Sequence, residues 1–222
     1  MPMDPWLDRF ARANFLRSAD TAHDLKTPLN VAVLNLELLR MRLRKVAGED
    51  DEKINGYTRA IELELRRLGS IFDAFFLLST PPKNDEPPSA VDVAAICAEA
   101  AASAGVSFNA DGPATIRAHE VRIRQAAQLF FRSATRLLEP DGLSARASRS
   151  EQSWTLDISG KPRADDFETT KIFKFYYTDT DGNADLSAAV ARLIAETYGG
   201  ELNAVEEHDK VTLRLSFPLG AR

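Results

Sequence analysis

One cysteine, two tryptophans and three histidines among 222 residues leave few side chains for thiol or metal chemistry. The single thiol, Cys97, can close no disulfide within the chain and can found no cysteine-based metal site. It sits in the apolar run Val93, Ile96, Cys97 and Ala100, a pattern that reads as core packing. No stretch approaches the roughly 18 apolar residues of a membrane span, and the N-terminus carries no signal-peptide pattern, so a cytoplasmic protein is expected. Basic excess is missing too. A net charge of −5 and a pI near 5.3 argue against nucleic acid or an anionic membrane as partner. What is present, 44% apolar and 27% charged residues, is the balance of a folded globular chain, with length for one large domain or two small ones.

Leu25, Leu29, Ala32, Leu36, Leu39, Leu43 and Val46 alternate spacings of four and three, which predicts a bundle helix over residues 6–46. Val31, Leu34, Leu38 and Met41 widen the stripe, as a helix packed against more than one neighbour requires. Gly48-Glu49-Asp50-Asp51 breaks the pattern. A second helix is predicted over residues 52–79, with Ile54, Tyr57, Ile61, Leu65, Leu68, Phe72 and Phe75 inward. Two long helices on a short loop make an antiparallel hairpin. One hairpin cannot bury both stripes, whereas two form a four-helix bundle, so a homodimer is expected.

The first helix carries His23-Asp24-Leu25-Lys26-Thr27-Pro28-Leu29-Asn30. Residues four apart share a helix face, so the His23 imidazole and the Thr27 hydroxyl are expected on one exposed strip. Asp24 would accept a hydrogen bond from one ring N–H, fixing the tautomer and leaving the other nitrogen as a nucleophile. Pro28 cannot donate to the carbonyl of Asp24, so a kink is expected there. The string resembles the phospho-acceptor box of bacterial two-component histidine kinases, and the resemblance extends over nearly the whole chain. It implies His23 as the phosphoryl-accepting nucleophile, Asp24 as the group that orients it, and Thr27 as the holder of a water that hydrolyses a receiver's phospho-aspartate. Lys26, Asn30 and Leu34 are expected to dock that receiver. The 22 residues ahead of His23 leave no room for a sensor domain, so the input is expected from another protein.

Pro81-Pro82-Lys83-Asn84-Asp85-Glu86-Pro87-Pro88 reads as an extended linker. Beyond it, helices are predicted over residues 92–104, 120–138 and 186–198. Strands are predicted over 106–109, 142–148, 154–159, 201–206 and 210–218, giving an α/β sandwich with helices on one face of a mixed sheet. This region is similar to the ATP-binding domain of histidine kinases, which implies four nucleotide elements. Two magnesium-helix asparagines of that family fall on Leu129 and Ser133, neither of them a good ligand for a hard cation. The adenine-reading aspartate falls on Gly160, and the glycines after it on Pro162 and Ala164. A phenylalanine-rich element survives as Ile172-Phe173-Lys174-Phe175-Tyr176-Tyr177. The glycine-rich phosphate loop is replaced by Asp185-Leu186-Ser187-Ala188, with an acid where a triphosphate would sit. Tyr198-Gly199-Gly200-Glu201-Leu202 continues as the family does.

The expected fold is therefore α+β: a phospho-acceptor hairpin over residues 1–80, a linker over 81–89, and a degenerate, Bergerat-type ATP-binding-like sandwich over 90–222. The expected function is phosphoryl exchange between His23 and a response-regulator aspartate, with no cofactor of its own, ATP binding lost, and Mg²⁺ supplied by the receiver. Two other readings compete: an ATP-dependent sensor kinase with an atypical nucleotide site, and a non-catalytic dimeric scaffold for a regulator. His119-Glu120 and His208-Asp209 read as surface turns, and Arg117, Arg122, Arg124, Arg132 and Arg136 as a solvated basic face, with docking to an acidic partner as the alternative.

Overall fold

Helix α1 spans Ser18–Ala47 and α2 spans Glu52–Ser79. They appear in a computed structural model that describes residues 18–47, 52–79, 87–164, 167–174, 185–207 and 209–219, with the side chains of the two long helices described over 29–43 and 54–73. Residues 6–17, the 48–51 loop and most of the proline-rich linker lie outside the described residues. The helical hairpin forms one compact unit and the elements from residue 87 onward form another.

The hairpin closes along half of its apolar surface. Leu29, Ala32, Leu36 and Leu43 of α1 and Ile54, Leu65 and Phe72 of α2 are half-buried, and Arg40 reaches Glu62 at 3.9 Å. The row predicted to face inward on α2 divides in two. Tyr57 is 70% exposed, and Ile61 and Leu68 are also uncovered, because one neighbouring helix covers one stripe only. The second stripe of α1, Val31, Leu34, Leu38 and Met41, is likewise exposed, as is Leu39 from the main one. Backbone helicity runs unbroken through Pro28.

The second unit layers helices on a sheet. Its elements are β1 (Ser89–Asp92), α3 (Val93–Ser103), β2 (Ser107–Ala110), β3 (Thr115–Ala118), α4 (Glu120–Leu137), β4 (Ser144–Arg149), β5 (Ser153–Gly160), α5 (Ser187–Thr197), β6 (Glu201–Glu207) and β7 (Lys210–Pro218). The main sheet has the order β2-β4-β5-β7-β6, with β2 parallel to β4 and the other pairs antiparallel. Strands β1 and β3 pair separately, antiparallel, with Val91 opposite Ile116. Alternation decides the faces: Trp154, Leu156 and Ile158 of β5 and Val211, Leu213, Leu215 and Phe217 of β7 point into the core. Helix α4 joins the same core with Ile123, Ala127, Phe130, Phe131, Ala134 and Leu137, a stripe at helical spacing. Each such large side chain, fully buried, contributes roughly 1.5–3 kcal/mol. The other sheet face is polar, with Arg146, Asp157, Arg214 and Asn203 in register across four strands. There Arg214 donates Nε and Nη2 to the two Asp157 carboxylate oxygens, each at 2.8 Å.

Local chemistry sets the helix ends. Asp92 accepts from Ala94 N at 3.0 Å and Ala95 N at 3.2 Å, capping α3. After α5 the chain turns through Gly199, at φ +73°, into Gly200. A Cβ on Gly200 would lie 2.3 Å from the Ser216 carbonyl oxygen, so only glycine lets β6 start there.

Candidate functional site

His23, Asp24, Lys26, Thr27, Asn30 and Leu34 all fall on the continuous helix α1. Positions 23, 27, 30 and 34 follow one another at spacings of four, three and four, which places them along one helix face. The side chains of His23, Asp24, Lys26 and Thr27 lie outside the described residues. Asn30 is exposed, and Leu34 is 56% exposed. Leu34 thus borders both the polar strip and the uncovered apolar stripe.

The four positions implicated in nucleotide binding are held in a different chemistry. On α4, Leu129 packs partly against the core. Ser133 is fully buried, with no partner for its hydroxyl. At the end of β5, a Cβ on Gly160 would meet the Leu138 Cβ at 3.2 Å and the Leu143 Cδ1 at 3.3 Å. A carboxylate there would have to displace two leucines. The segment after it is fastened down: Pro162 bridges to Leu138, and Arg163 donates Nε to the Leu138 carbonyl and Nη2 to that of Thr135. These bonds satisfy carbonyls left over at the C-terminus of α4. Ile172 is buried, and the Arg192 guanidinium lies 5.0 Å above the Phe173 ring. Phe175, Tyr176 and Tyr177 lie outside the described residues.

Asp185 is 3% exposed at the entry to α5. Its Oδ1 accepts from Ser187 N at 3.0 Å, and Arg136 Nη1 lies 3.8 Å from the same oxygen. Its Oδ2 is buried without a partner. The acid at this position was legible in the sequence; its burial and its arginine were not.

Two predicted surface features are corrected. His119 is half-buried, and its Nδ1 pairs at 2.8 Å with the Tyr198 hydroxyl, joining the start of α4 to the end of α5. Glu120 bonds Arg124 instead. The predicted basic face disperses as well. Arg124 is held between Glu99 and Glu120, Arg122 is half-buried and donates to Gln125, Arg136 is exposed but turns to Asp185, and Arg117 and Arg132 are exposed. Burial lowers the Arg122 pKa, with the Tyr198 phenolate opposing, and burial raises that of Tyr198. Burial, reinforced by Asp92, also pushes the Cys97 thiol up, so it stays protonated and inert at neutral pH. His208 lies outside the described residues. Among the described residues no group of three or more His, Cys, Asp or Glu side chains could hold a metal, and no helix is long and apolar enough to cross a membrane. A cavity of about 680 Å³ opens elsewhere, beside β1 and β3, lined by Pro88, Pro113, Ile116, Arg117, Arg149 and Leu219.

Residues 16–83 match the His Kinase A (phospho-acceptor) domain, a span that contains His23 and both long helices. Over that span the chain carries a phospho-acceptor domain of the His Kinase A type, and it resembles two-component histidine kinases. The chain is 24% identical to the sensor protein ChvG of Agrobacterium fabrum over 87% of its own length, and spans 36% of that relative. Among solved structures, full-length ShkA in complex with AMPPNP superposes at a TM-score of 0.57 with 18% identity, over 94% of this chain and 47% of that one. The histidine kinase ThkA in complex with the response regulator protein TrrA gives 0.56 with 17% identity, over 96% and 65%. At these identities the likeness shows the fold, a phospho-acceptor hairpin followed by a kinase catalytic-type α/β unit.

Proposed function

We propose that this chain carries or removes a phosphoryl group at His23, exchanging it with the aspartate of a response-regulator receiver without binding ATP itself. The observation that carries the reading is the contrast between the two units. The acceptor helix retains its full His-Asp-x-x-Thr string inside a matched phospho-acceptor domain. The positions that would hold a magnesium nucleotide offer instead a leucine, an orphaned serine, a glycine walled by leucines and a buried carboxylate. These residues do not fit that ligand. That ThkA is solved with a response regulator supports the choice of partner.

In the proposed exchange a ring nitrogen of His23 forms a bond to phosphorus while the bond from phosphorus to the aspartyl oxygen breaks, releasing the receiver's carboxylate. Asp24 holds the proton on the other ring nitrogen and stabilises the charge that develops on the imidazole. The receiver contributes the metal and acidic pocket, since phosphoryl transfer needs mainly positioning and charge neutralisation. Thr27 positions a water when the outcome is hydrolysis, and Lys26, Asn30 and Leu34 form the docking strip. The active form is a cytoplasmic homodimer, with residues 1–80 as acceptor hairpin, 81–89 as linker and 90–222 as the degenerate domain. Val31, Leu38 and Met41 on α1, with Tyr57, Ile61 and Leu68 on α2, leave two apolar stripes uncovered that a second hairpin would bury.

The test uses phosphorylated receivers and no nucleotide. Label must move onto the wild-type chain or be lost from the receiver, and His23→Ala must abolish the movement while keeping its helical circular dichroism. Unchanged transfer in His23→Ala rejects the assignment. Labelling of His23 from ATP alone would replace it with the ordinary kinase reaction.

A further inference from the structure

The start of α5 has the makings of an anion receptor. The first N–H groups of a helix lack partners and carry partial positive charge, so they favour phosphate-like oxygens. Leu186, the residue flanking α5, offers no side-chain cap. The N–H of Ser187 is met by Asp185 Oδ1 at 3.0 Å, and Arg136 from the neighbouring helix stands 3.8 Å from that oxygen. A helix-terminal amide together with a guanidinium is a ligand set suited to a phosphoryl group. The space is already taken, because the carboxylate is almost fully buried and its second oxygen has no partner. Of three buried side-chain polar atoms without partners among the described residues, two belong to Asp185 and Ser133, and Ser133 stands one turn before Arg136 on α4. A plain helix cap would leave no such pair of unspent groups.

We propose that Asp185 is a tethered anion that fills a phosphate cradle, so that the cradle survives but is closed by the chain's own carboxylate. The inference deepens the reading of an ATP-independent protein and rests on it. It names the excluded ligand class, a pyrophosphate-type anion, and the residue that excludes it. A carboxylate in the cradle would repel an incoming phosphate and occupy its volume, while Arg136 is engaged with it.

The experiment uses the full chain and inorganic pyrophosphate without nucleotide. Binding is read by titration calorimetry and thermal midpoints in wild type, Asp185→Gly, Asp185→Asn and Asp185→Gly/Arg136→Gln. Asp185→Gly is expected to lose thermal stability and to regain it with pyrophosphate, with affinity at least about tenfold above wild type. Adding Arg136→Gln should remove that rescue. Asp185→Asn keeps the size of the side chain, and if the glycine variant does not fold it decides the matter by binding more tightly than wild type. If each folded variant is as indifferent to pyrophosphate as wild type, Asp185 is a cap and the inference falls, while nucleotide-free transfer at His23 stands. If wild type itself binds pyrophosphate or ATP tightly, the cradle is open and the ATP-independent reading falls with it.

Discussion

Gly160 is walled by two leucines at the position where the resemblance to histidine kinases places an adenine-reading aspartate. Restoring the carboxylate as Gly160→Asp would drive a Cβ into Leu138 and Leu143. The expected result is a loss of about 1–3 kcal/mol in urea unfolding with no gain of magnesium-nucleotide binding. Gly200→Ala should be still more damaging, since its Cβ would face a backbone oxygen at 2.3 Å rather than a side chain that can rotate. Tyr198 makes a prediction with a sign. Its phenol is held above its ordinary value near 10, by burial first, so the folded state keeps the proton longer than the unfolded chain does. That contribution is complete below pH 10 and is lost as pH rises through the folded value, so thermal midpoints should fall over that alkaline range. Tyr198→Phe should show a shallower decline while losing the bond to His119.

Helices and strands differed in how much of themselves they disclosed. The second helix was predicted over residues 52–79 and spans Glu52–Ser79, because 28 residues repeat one spacing long enough to define both ends. Strands β1 and β3 were not foreseen. Each has four residues, too few for alternation to stand out, and each is stabilised by the other from across the chain. The partition of apolar residues on α1 and α2 was equally hidden, since periodicity marks a residue as apolar-facing without naming the neighbour that covers it. That partition yields a test. Leu38→Asp and Ile61→Asp place charge on stripes that a single hairpin leaves open. On the proposed homodimer, both should yield monomer in sedimentation while Trp154 fluorescence remains that of a buried indole. An unchanged mass would place the subunit contact elsewhere.

The two compact units carry their apolar surface differently, and their unfolding should differ accordingly. The sandwich buries Trp154, Phe130, Phe131 and Phe217 within one chain. Its melting should be independent of protein concentration, and Trp154→Ala should lower its stability by about 3–5 kcal/mol. The hairpin leaves its second stripes uncovered, so on the proposed homodimer its transition should rise with concentration as mass action requires. Calorimetry at several concentrations should resolve one fixed and one moving transition; a single invariant peak would contradict the division.

Residue order alone was enough to set out the helical hairpin, the sandwich and the His23 string, because each is written in short-range spacing that the backbone geometry enforces. The resemblance to histidine kinases, rather than spacing, is what marked Leu129, Ser133, Gly160 and Asp185 as departures from that family's nucleotide-binding residues. Residue order was silent on where Asp185 points, on the arginine that meets it, and on the leucines that close over Gly160. Those facts join residues 49 and 22 positions apart in the chain, counted from Asp185 to Arg136 and from Gly160 to Leu138. Contacts of that kind exist only once the layers have packed, since no local rule ties one helix's guanidinium to the entry of another.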